Sequence, residues 1–139
     1  MLVVIDTNVM ISALARQTPI APLFRALANG EIQLALTAAI VVGGGGIGGG
    51  GGGRAFSARL LHWLSLVATA WKTIVLVHPS YQFRLISSDP DDNKFADCAI
   101  TANADFLITN DTDYAPLVDS GYKPQLIKPE VFIARYLKP

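Results

Sequence analysis

LVVIDTN, residues 2–8, sets four apolar residues in a row, three of them β-branched, directly before a polar Asp-Thr-Asn. A short all-apolar run is the pattern of a strand buried on both faces of a parallel sheet. The abrupt change at Asp6 marks the strand's carboxyl end. A helical pattern continues from there through Ala15, and Pro19 and Pro22 restart a helix that closes at Asn29-Gly30, a normal C-terminal stop. IQLALT (32–37), TIVLVH (73–78), FLIT (106–109) and PQLIK (124–128) read as further strands, with Thr37 placed to cap the next element. DNKFADCAITAN (92–103), TDYAPLVDSG (112–121) and PEVFIARYL (129–137) read as helices, as does 56–71, where Phe56, Leu60, Trp63, Leu64, Val67 and Trp71 share one face. Strands alternating with helices predict a three-layer α/β fold: a central parallel sheet of five strands, flanked by helices joined through right-handed crossovers.

The chain of 139 residues has room for one domain, 1–139, and with 51% hydrophobic and 16% charged residues it can fill a core. Eleven Lys and Arg balance eleven Asp and Glu, so net charge drives the chain towards neither nucleic acid nor membrane. The single Cys98 excludes an internal disulfide and fits a reducing compartment. No apolar run is long enough to span a bilayer, and the N-terminus lacks the basic flank and cleavage site of a signal peptide. The expectation is a cytoplasmic protein with no membrane partner.

GGGGIGGGGGG (43–53) holds ten of the chain's twelve glycines. It contains G-x-G-x-x-G, but a poly-glycine tract matches every glycine motif and therefore carries no dinucleotide signal. Ordering ten glycines inside a small domain is also entropically expensive. We read the run as a stand-in for unidentified side chains, with a flexible linker as the alternative. In either case no chemistry is read from it.

The acids carry more. Ligands of a parallel α/β sheet bind beyond the carboxyl ends of the strands. Asp6 follows the first strand, Asp111 and Asp113 follow FLIT, and Asp89, Asp91 and Asp92 precede the helix that leads into FLIT. Asp97 lies four residues after Asn93, on the same helical face. Each has a structural explanation: Asp6, Asp111 and either Asp92 or Asn93 as helix caps, Asp89 and Asp91 as solvated turn residues around Pro90. Caps explain single residues; they do not explain a gathering of carboxylates at one end of a sheet. Carboxylates placed together raise one another's pKa unless a cation neutralises them. Oxygen-only ligands suit Mg²⁺ or Mn²⁺, and such a site can activate water against a phosphodiester.

VVIDTNVMISAL at the start, DPDDNKFADCAITANADFLITNDTDY late, and the α/β order between them resemble the PIN domain, in particular its VapC-like branch of toxins from toxin–antitoxin systems. The resemblance covers the chain apart from the glycine run. It implies a parallel five-stranded sheet, Mg²⁺- or Mn²⁺-dependent cleavage of RNA, an antitoxin partner and a homodimer. By matching motifs it implies Asp6, Asp92 and Asp111 as catalytic acids and Asp6, Asp92, Asp97 and Asp111 as metal ligands. Asp92 and Asn93 both fit the acid position at the helix start. The resemblance also implies that Asn8, Asn93, Thr109 and Asp113 shape the same pocket. The family's usual Glu on the helix after the second strand falls at Gly43 when Ile47 is set on the neighbouring Val position. A true glycine there removes one ligand.

Other candidates are weaker. His62 sits in the apolar helix, His78 precedes Pro79 at a strand end, and Cys98 stands beside Ala99 and Ile100, as a core residue does. Neither a Ser–His–Asp order nor paired cysteines for zinc are present. The leading expectation is a metal-dependent endoribonuclease. The alternatives are a catalytically silent PIN module that binds RNA or protein, and, well below it, a phosphoryl-transfer enzyme of the haloacid dehalogenase type. That last reading expects a second Asp two residues after the first, where Asn8 stands.

Overall fold

The computed structural model describes residues 1–6, 9–10, 19–37, 74–78, 83, 93–118 and 120–137. The helix expected over 56–71 and the run at 43–53 lie outside these residues. Within them, β1 (Leu2–Ile5), α1 (Pro22–Ala28), β2 (Gln33–Leu36), β3 (Ile74–Leu76), α2 (Asn93–Thr101) and β4 (Phe106–Ile108) come in chain order. A 3-10 turn (Thr112–Tyr114), α3 (Ala115–Val118), β5 (Gln125–Ile127) and α4 (Pro129–Tyr136) complete them. β1 coincides with the LVVI run, and the other elements lie inside the stretches that their periodicity marks, up to three residues shorter at an end.

The five strands form one sheet in the order β3-β2-β1-β4-β5, and every neighbouring pair is parallel. All-parallel pairing explains the strand composition: Val3, Val4, Ile5, Leu34, Leu36, Leu107 and Ile108 are buried because both sheet faces are covered. The edge strand β3 ends on Leu76, which is exposed. α2 packs against β1, β4 and β2. Its residues Phe95 to Ala99 are all buried, and the small Ala96, Cys98 and Ala99 permit that close approach. α4 packs against α1, and Phe132 on its inner face meets Phe106 of β4 edge-on with ring centroids 5.8 Å apart.

Two helix ends use one device. At α1, Gly30 adopts φ 76° while its N–H donates to Leu27 O (3.2 Å) and the Glu31 N–H donates to Ala26 O (2.9 Å). At α2, Asn103 takes φ 54°, and the N–H groups of Asn103 and Ala104 donate to Ile100 O (3.0 Å) and Ala99 O (2.9 Å). Both are Schellman closures, which require a residue that tolerates the left-handed region.

The strand order decides where a ligand can bind. The chain moves outward from β1 to β2 and β3, returns past β1 to β4, and continues to β5. Connections therefore leave the carboxyl ends of β1 and β4 in opposite directions, opening a crevice between them.

Candidate functional site

The register places a polar row at that crevice. Ile5 pairs with Ile108 and Ile108 with Ile127, so one step further Asp6, Thr109 and Lys128 stand side by side. Continuing the β1–β2 register from Leu2↔Gln33 and Val3↔Leu34 sets Thr37 on the other side of Asp6. Backbone bonds hold the row: Asp6 N–H donates to Ile108 O at 3.2 Å, and Thr109 N–H to Ile127 O at 3.0 Å. Four polar residues are buried among those described, and three of them, Thr37, Asp6 and Thr109, belong to this row.

Asp6 is 4% exposed. Its backbone carbonyl accepts the Met10 N–H at 3.0 Å and its Oδ1 accepts the Val9 N–H at 2.9 Å. Val9 and Met10 are helical, so Asp6 does cap the helix after β1. The cap engages one oxygen. The other, Oδ2, accepts the Thr109 hydroxyl across the crevice. Thr109 Oγ1 in turn accepts the Asp111 N–H at 3.0 Å, and Asp111 Oδ1 accepts the Asp113 N–H at 2.8 Å, capping the 3-10 turn. Each acid thus caps a helix, and one hydroxyl ties the carboxylate of the first to the backbone of the second.

Asp97 lies on α2, buried, and its Oδ1 accepts the Phe83 N–H at 3.1 Å. Burial pushes its carboxyl above the ordinary value, and the Phe83 N–H works in the opposite direction. Cys98 is fully buried, and its thiol is pushed up to about 12, first by burial and then by the negative charge of Asp97. A thiol so hard to ionise is no nucleophile at neutral pH, as the core assignment expects. His78 is exposed just past β3. Asn93 is half-buried as the first residue of α2. Asn8, Asp89, Asp91 and Asp92 lie outside the described residues.

The donor set offered by Asp6, Thr109 and Asp111 is oxygen-only, the chemistry that suits Mg²⁺ or Mn²⁺. Among the described residues, no three His, Cys, Asp or Glu side chains come together to hold a metal. Two members of the row escape sequence reasoning. Thr37 reads there only as a cap, and Lys128 carries no signal of its own. Each stands immediately after a strand, the signal that singles out Asp6, but choosing among such residues needs the pairing order.

The PIN-domain family model matches residues 2–113. The chain belongs to the PIN-domain family. Among solved structures, it is similar to a chain in the crystal structure of VapBC2 from Rickettsia felis bound to a DNA fragment from their promoter. The two share 16% identity over 91% of this PIN domain and 98% of that chain, with a TM-score of 0.60. At that identity the likeness establishes the fold. None of the curated proteins matches the chain. Among the described residues, no helix of this PIN domain is long and apolar enough to cross a membrane.

Proposed function

We propose that this PIN domain is a divalent-metal-dependent endoribonuclease, the toxin of a toxin–antitoxin pair. The observation that carries the reading is the Asp6–Thr109–Asp111 network at the switch point of the sheet. Asp6 and Asp111 would hold the ion together with Asp92, and Asn93 and Asp113 would shape the rim. When bound, Mg²⁺ or Mn²⁺ supplies Lewis-acid activation of water and stabilises the departing oxygen of a phosphodiester. The chain's own contribution is positional. The Thr109 hydroxyl and Val9 N–H fix both oxygens of Asp6. Lys128, exposed at the end of the same row, could meet a phosphate of the RNA backbone.

The likeness to a chain of the VapBC2 assembly supports an antitoxin partner, and the family habit supports a homodimer. A true glycine at position 43 would favour a second reading, a silent PIN module that binds RNA or protein. Incubation of the full chain, with its encoded residues at 43–53, with a mixed RNA pool separates the two. The nuclease reading expects cleavage that requires added Mg²⁺ or Mn²⁺, stops with EDTA, and leaves 5′-phosphate and 3′-hydroxyl ends. Cleavage that needs no metal, or ends as 2′,3′-cyclic phosphate, would contradict it, and RNA binding without cleavage would favour the silent module.

A further inference from the structure

Of the four buried polar residues among those described, Asp97 alone lies on a helix. The family pattern sets it among the metal-binding acids, but its carboxylate has a different engagement. Oδ1 accepts the Phe83 N–H at 3.1 Å. Phe83 belongs to the connection between β3 and α2, the crossover that returns the chain from one edge of the sheet past β2 and β1. That crossover creates the switch point, and it delivers the chain to the first residue of α2, immediately after Asp92.

Phe83 is held a second time through its ring. The ring meets Tyr122 edge-on, with centroids 5.1 Å apart and planes at 72°, a favourable quadrupolar arrangement. Tyr122 sits in the turn before β5, where its N–H donates to Ser120 Oγ at 3.2 Å and the Ser120 hydroxyl donates to Leu117 O at 2.6 Å. One residue of the crossover is therefore gripped by α2 through its backbone and by the α3–β5 turn through its side chain.

We propose that Asp97 is a positioning residue for the acidic edge and not one of its metal ligands. It fixes the Phe83 backbone to α2 and, with the Tyr122 ring, holds the chain at that residue between β3 and the start of the helix. The catalytic consequence rests on the nuclease reading; the anchoring itself does not. The two roles differ in what an amide can replace. The Oδ1 of Asn accepts the same N–H, so Asp97→Asn keeps the anchor, whereas a metal ligand loses its charge by that change.

Amide hydrogen exchange at Phe83 in the full chain tests the anchor directly. Exchange is expected to be slow in wild type and D97N, and at least about tenfold faster in D97A. Tyr122 is 40% exposed, so Y122A leaves the core intact and decides the matter if D97A does not fold; it is expected to speed Phe83 exchange by a smaller factor. In parallel, the Mn²⁺ affinity of D97N should stay within about threefold of wild type, and its kcat on RNA should exceed that of D97A by about tenfold or more. Equal Phe83 exchange in wild type, D97A and Y122A overturns the proposal. So does a D97N that loses Mn²⁺ affinity as severely as D6N. If wild type cleaves no RNA, the nuclease reading fails, and the exchange measurement still decides the anchor.

Discussion

Asp105 and Asp6 flank neighbouring strands at opposite edges of the sheet, and they are held in different ways. Asp105, just before β4, accepts the Leu2 N–H at 3.0 Å and pairs with Lys123 at 3.2 Å, with the Lys123 side chain exposed and that of Asp105 partly so. Its carboxyl is held below the ordinary value, first by the Leu2 N–H and further by Lys123. Asp6, just after β1, is buried and accepts a backbone N–H and the hydroxyl of a residue from the next strand. Asp105 does a structural task, tying the start of β1 to that of β4 where water and a cation keep a charge cheap. Asp6 lies buried at the switch point, where a cap alone would not require burial. The difference separates an acid that staples the fold near the surface from a buried one at the switch point, which we propose as a metal ligand.

The largest effect expected from breaking this contrast is on activity at the carboxyl edge. Asp6→Asn and Asp111→Asn should each lower RNA cleavage on the order of 10²-fold or more, equivalent to several kcal/mol of transition-state stabilisation. Asp111→Asn should leave the melting temperature nearly unchanged, because an amide oxygen can still cap the 3-10 turn. Single-turnover cleavage and thermal melts measured together check both halves. A loss of activity that simply tracks a loss of fold would place Asp6 and Asp111 with Asp105.

The middle effect belongs to the hydroxyl that joins the acids. Thr109→Val removes the donor to Asp6 Oδ2 and the acceptor of the Asp111 N–H at nearly constant volume. It should cost about 1–3 kcal/mol of stability. Thr109→Ser, which keeps the hydroxyl, should recover most of that and most of the accompanying loss of cleavage. Urea denaturation of the two variants is the check.

The smallest effect is at the other edge. Asp105→Asn should cost about 1 kcal/mol or less, since the pair with Lys123 is exposed and screened, and should leave cleavage intact. A carboxyl with a depressed folded pKa stabilises above its unfolded value of about 3.9 and loses that contribution as pH falls through the folded value. The stability gap between wild type and D105N should therefore be full near neutrality and close on acidification below about pH 3.9. A gap that widens in acid would reverse the sign.

Much of this contrast is legible in the letters. LVVI and FLIT announce buried parallel strands because they carry no polar alternation, and the polar residue ending each run marks the carboxyl edge. The stop at Gly30 is legible because a left-handed closure favours glycine; the matching stop at Asn103 is less so, because asparagine has other uses. The direct tie between Asp6 and Thr109, 103 residues apart, is not legible, since it depends on β1 pairing with β4 and not with β3. The same pairing order hides Thr37 and Lys128 in the row. Asp97 shows the limit from the other side: helical spacing gives its face, but its partner, Phe83, lies in a crossover that periodicity does not describe.

Calorimetric titration of the full chain with Mn²⁺, run side by side on wild type, D6N and D105N, bears most directly on the purpose of the carboxyl edge. The expected result is a site in wild type that D105N retains and D6N weakens by about tenfold or more, since one charged ligand is lost. Equal Mn²⁺ affinity in wild type and D6N would contradict it and leave Asp6 a helix cap, no more functional than Asp105.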